Sequence, residues 1–183
     1  MNKTFRFGAA GIAMFAALGM SSVAHADTAT ADASAEVLDA LTLDNDTALD
    51  FGTMVVEGAG AVTLSPDGSA AGDLTCSDPD IVCSGTTSVA GFTVEGTQSK
   101  AVTINLPSNT IELRHPSWTA ATDAQHSIEL DNFTASDNGA GGPEVTLDVN
   151  GVATFEVGGT INLGGTEEAG VFSGTFDVSV EYS

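Results

Sequence analysis

Cations are almost missing from this chain: four Lys and Arg stand against 25 Asp and Glu in 183 residues. Lys3 and Arg6 fall in the first 26 residues, which hold no acid, so everything after Ala26 carries only Lys100 and Arg114. Nucleic acids and anionic lipid surfaces are bound through a cationic footprint, and this chain has none to offer. Aromatic residues make up 6%, with one Trp and one Tyr, which argues against a sugar cleft built on aromatic platforms. The two cysteines lack the Cys-x-x-Cys spacing and a nearby histidine, so neither a redox pair nor a metal site is well supported. No window after the first segment repeats every 3.6 residues, and no later run is apolar enough to span a membrane. Nucleophile motifs are missing too: there is no Gly-x-Ser-x-Gly, His-Glu-x-x-His or Cys–His pairing. No catalytic residue, no metal and no cofactor is expected. Paired carboxylates for a glycosidase stay open only because acids are so numerous.

The first segment reads as an export signal. Lys3 and Arg6 precede an apolar run from Gly8 to Met20, and the segment closes on Ala24-His25-Ala26, the small-residue pattern that signal peptidase accepts. The expected division is a signal peptide over 1–26, an N-terminal extension or candidate donor strand over 27–40, and a sandwich domain over 41–183. The expected destination is the periplasm in transit, then the cell surface or the medium. Cys76 and Cys83 enclose six residues with Asp78-Pro79 among them. In an oxidising compartment they are expected to form a local disulfide across a hairpin tip.

Strand patterns fill the rest. Ala29, Ala31, Ala33, Ala35 and Val37 alternate strictly with polar residues, a period of two with unusually small side chains. Further runs cover Leu41–Leu43, Ala48–Val56, Ala61–Leu64, Val89–Glu95, Ala101–Leu106, Thr110–Leu113 and Ser127–Thr134. Later ones cover Val145–Val149, Val152–Val157, Thr160–Leu163 and Val171–Tyr182. Turn residues separate them, at Ser65-Pro66-Asp67-Gly68, Asp137-Asn138-Gly139, Gly141-Gly142-Pro143, Gly158-Gly159 and Gly164-Gly165. Asn150-Gly151, between two alternating runs, is a two-residue hairpin signal. So many short strands predict a single all-β domain, an antiparallel sandwich or barrel. In the last run Phe172, Gly174, Phe176, Val178, Val180 and Tyr182 share one face, while Thr175, Asp177, Ser179 and Glu181 share the other. That apolar face must be covered, and the backbone edge must be paired or protected.

The C-terminus, with Tyr182 penultimate and Gly170 fourteenth from the end, resembles that of pilin subunits assembled by the chaperone–usher route. The phrases ALDFGTMVVEGAGAVTLSPDG, VAGFTVEGT, VTINLPSNTIEL, ATFEVGGTINL and GVFSGTFDVSVEYS resemble a family of secreted bacterial proteins of unknown function, often encoded beside pilus chaperones and ushers. The spore-coat-protein-U-like group has a similar ending. The resemblance implies an immunoglobulin-like, pilin-like sandwich that lacks a strand and is completed by one lent from outside. A periplasmic chaperone lends it first; at an outer-membrane usher the N-terminal extension of another copy takes its place, head to tail. On this reading Ala29, Ala31, Ala33, Ala35 and Val37 are the donor face. Gly170, Phe172, Phe176, Val178, Val180 and Tyr182 form the acceptor edge and chaperone contact. The implied role is a subunit of a pilus or fimbria-like filament. The alternatives are a monomeric secreted or surface-associated binding module, in which 29–37 is an ordinary first strand or a loose leader, and a matrix or coat role.

The remaining polar groups are expected to be structural. Asp44-Asn45-Asp46, Asp78/Asp80, Asp131-Asn132 and Asp137-Asn138 read as solvated turns rather than Ca²⁺ ligands, since none fits an EF-hand loop. His115 and His126 read as surface or strand-edge residues. Trp118 reads as a plug at the sandwich end, with a ligand contact as the other reading, and Lys100 and Arg114 as local partners of carboxylates.

Overall fold

The structure is a computed structural model that describes residues 27–120, 122–136 and 143–183. The export signal, the turns proposed over 137–142 and any Ca²⁺ ligation by Asp137-Asn138 lie outside these residues. Two compact units divide the chain, Met1–Glu36 and Val37–Ser183. Of the first, residues 27–36 carry no β-ladder and their side chains are exposed. Val37, at the start of the second, is also exposed. The alternation over 29–37 therefore makes no first strand of this chain's own sheets.

The second unit is all-β and antiparallel. Its strands are β1 (Thr42–Thr47), β2 (Thr53–Val56), β3 (Gly60–Ser65), β4 (Asp73–Thr75), β5 (Ile81–Ser84) and β6 (Ala90–Glu95). They continue with β7 (Ala101–Asn105), β8 (Ile111–Arg114), β9 (Ser127–Ser136), β10 (Glu144–Thr146), β11 (Val152–Leu163) and β12 (Ser179–Tyr182). β11 organises the large sheet. One of its edges pairs with β9, which in turn carries β8. Its other edge is shared: residues 152–157 pair with β6 and 159–163 with β3. β1 lies outside β6 and β4 outside β3. A three-stranded sheet in the order β10-β7-β12 and a two-stranded ribbon of β2 and β5 complete the fold.

Two adjoining cores follow from this split. Around β3 and the second half of β11 lie Phe51, Val62, Leu64, Ile81, Val89, Leu130, Ile161 and Leu163. Around β6, β7 and the first half of β11 lie Phe92, Val94, Val102, Ile104, Val145, Leu147, Phe155 and Val157. Leu49, Phe133 and Phe176 pack against both. The inward residues of β3, β6 and β7 alternate with less buried ones, as period-two patterning requires.

The expected sandwich is present, but several local expectations are corrected. Gly158-Gly159 is no turn; it lies inside the twelve-residue β11. A Cβ on Gly158 would sit 2.1 Å from the Leu64 carbonyl oxygen, so glycine is needed there because β11 changes partner at that point and the backbones run close. Asn150-Gly151 does form a tight turn, with Gly151 at φ +80° and the Asp148 carboxylate accepting from the Asn150 and Val152 amides. It does not make a hairpin, because β10 pairs with β7 while β11 pairs in the other sheet. The Cys76–Cys83 disulfide exists, with Cα atoms 6.3 Å apart, but spans no hairpin tip. β4 pairs with β3 and β5 with β2, so the bond ties the edge of the large sheet to the ribbon. The run over 171–182 is not one strand: a single bridge at Ser173 and the short β12 are its only ladder contacts.

Candidate functional site

The C-terminal segment changes sheets as it runs. At Ser173 it exchanges both main-chain hydrogen bonds with Arg114 at the end of β8, at 2.8 and 3.1 Å. Over Ser179–Tyr182 it pairs with β7 in the small sheet. Between these points residues 174–178 have no ladder. The expected period-two face is present: Phe172, Phe176, Val178, Val180 and Tyr182 are half-buried, and the residues between them are exposed. Phe172 packs on the first core, Phe176 on both and Val178, Val180 and Tyr182 on the second, so this face runs along the seam. Phe176 meets Phe133 with ring centroids 4.8 Å apart. None of the five is fully covered. Among the described residues, β12 ladders only with β7, so its outer main-chain edge carries no strand. Among the described residues, the outer edge of β8 carries only the Ser173 bridge, beside a shallow groove lined by Ile111, Glu112, Arg114, Ser173, Gly174 and Thr175. Gly170, placed at the acceptor edge from sequence, is exposed and lies against the His115 ring, where a Cβ would overlap it.

Tyr182 makes a clasp that the sequence did not reveal. Its hydroxyl donates to the Asp39 carbonyl at 2.8 Å and accepts from the Thr97 amide at 2.7 Å. The Asp39 amide donates to the Thr97 hydroxyl at 2.7 Å. Three residues far apart in the chain are thus joined at the pole where β6 turns into β7, where β12 ends and where the chain enters the sandwich.

A second cluster holds the start of the C-terminal segment. His126, directly before β9, has both ring nitrogens on carboxylates, Nδ1 at 2.8 Å from Asp123 and Nε2 at 2.6 Å from Glu168. The Glu168 bond first, then the Asp123 bond, raise its pKa above the ordinary imidazole value, against the opposing effect of burial. The His126 bond in turn holds Asp123 below its ordinary range, with the Thr119 hydroxyl adding to it. The His115 ring lies 5.4 Å from both the His126 and Phe172 rings. Both histidines flank the β8–β9 connection, so the strand-edge reading holds, but the His126 side chain is only 16% exposed. In the same connection the Arg114 guanidinium stacks on Trp118 at 3.9 Å and bonds Glu112 at 2.8 Å. Among the described residues no group of three His, Cys, Asp or Glu is placed to hold a metal ion, and no helix is long and apolar enough to cross a membrane.

Residues 41–182 match the family described as a domain of unknown function, DUF4402, and the chain belongs to it. No curated protein and no solved structure matches the chain.

Proposed function

We propose that this member of the family is an exported structural subunit that links to other copies by strand donation, in the manner of pilins assembled by a chaperone and usher. The carrying observation is β12: an outer main-chain edge that carries no strand among the described residues, above a row of half-buried apolar residues on the seam of two cores. An edge of that kind is a template for another strand, with main-chain bonds giving affinity and alternate side chains giving specificity. Residues 29–37 supply the matching pattern and take no place in their own sheets. The disulfide fits an oxidising destination. A periplasmic chaperone and an outer-membrane usher are the partners this reading requires, and the immunoglobulin-like description belongs to it.

Deleting residues 27–37 from the chain that begins at Asp27 tests it. The truncated protein is expected to keep a cooperative thermal transition and to form no fibres by electron microscopy, while the longer chain does. Fibres from the truncated protein would refute donation by this segment.

A further inference from the structure

We infer that the Asp39–Thr97–Tyr182 clasp directs the N-terminal segment to the β12 edge of a second copy and away from its own; this rests on the strand-donation reading above. The clasp fixes Asp39 at the C-terminal end of β12, and both backbone groups of that residue are engaged, its amide by Thr97 and its carbonyl by Tyr182. From this anchor the chain enters β1, which runs back into the sandwich against β6. A segment rooted there that doubled back along its own β12 would have residue 37 near Tyr182 and residue 29 near Phe172. Such a strand would lie parallel to β12. Every ladder among the described residues is antiparallel, and parallel pairing is slightly weaker per residue. Doubling back also needs a reversal immediately before Asp39, next to the clasp. A second copy has neither constraint. Its segment can enter antiparallel, with residue 29 near Tyr182 and residue 37 near Phe172. Tyr182 is then a positioning residue: its ring packs on the second core, and its hydroxyl holds Asp39, just after the donor segment.

The test uses outward-facing positions on both strands, so no core contact is altered. The chain from Asp27 is made with Thr30→Cys plus Glu181→Cys, or with Thr30→Cys plus Thr175→Cys, and treated with a bifunctional thiol reagent that spans a few residues of register. The 30/181 pair is expected to give a ladder of linked chains, and the 30/175 pair little product of any kind. Adding Tyr182→Phe keeps the ring and removes the hydroxyl; it should cut the ratio of intermolecular to intramolecular product about three- to tenfold, as loss of about 1 kcal/mol of hydrogen bonding would. Dominant 30/175 product within single chains overturns the inference and leaves strand complementation standing. So does a ratio unchanged by Tyr182→Phe in a variant that melts like its parent. No linked product from either pair, with monomers throughout by light scattering, overturns the donation reading itself.

Discussion

Both nitrogens of His126 face carboxylate oxygens, and only the imidazolium can donate to both. Its folded pKa is raised, so the stability it lends is fully present below the ordinary imidazole value and is lost as pH rises through the folded one. Glu168→Gln is therefore expected to lower the melting temperature at about pH 5.5, with the two melting curves converging as pH rises through the folded value. A constant gap across that range would refute the linkage. Asp123, Asp148 and Asp67 have the opposite sign. Their carboxyls are held low by the His126 bond, by the Val152 and Asn150 amides, and by the Ser69 hydroxyl and amide respectively. Their contributions are present above the ordinary aspartate range and disappear as pH falls through the lowered values. In the core, Phe155 is 1% exposed and stacks on Phe92 at 5.2 Å. Phe155→Ala is expected to cost about 3–5 kcal/mol in urea unfolding.

At the scale of elements, the disulfide and the β11 glycines do what their local sequence does not announce. Replacing both Cys76 and Cys83 by Ala is expected to cost about 2.5 kcal/mol, the chain-entropy value for so short a loop. Hydrogen exchange should rise in β2 and β5 before it rises in β3, since the bond ties that ribbon to the large sheet. Gly158→Val should cost about 2 kcal/mol or more by thermal melting, because a Cβ there meets the Leu64 carbonyl. These positions also show what could be read beforehand. Strong alternating runs such as Val89–Glu95 and Ala101–Leu106 were recognisable, since each buries every second residue. β4 and β5 were not, being only three and four residues long, too short to show a period. Gly158-Gly159 and Asn150-Gly151 misled for one reason. Composition identifies where a backbone needs freedom, but long-range pairing decides whether the chain reverses, arches to the other sheet or continues straight.

For the whole molecule, the half-buried face from Phe172 to Tyr182 was legible as a period of two, and its position on the seam between two cores was not. The Tyr182 clasp was hidden because its partners, Asp39 and Thr97, meet only once β1, β6 and β12 converge on one pole. The surplus of acids sets how copies meet. Like charges repel at long range, so association must rest on strand pairing and apolar burial, and added salt should increase side-by-side bundling of fibres by screening. Turbidity and electron microscopy across a salt series would check this, and bundling that falls as salt rises would contradict it. The placement of β11 carries one more consequence. β3, β6 and β9 all pair with it. A chain emerging from the ribosome cannot close its large sheet until β11 has been made. Until then the three strands share no partner, and their apolar side chains are open to the wrong one.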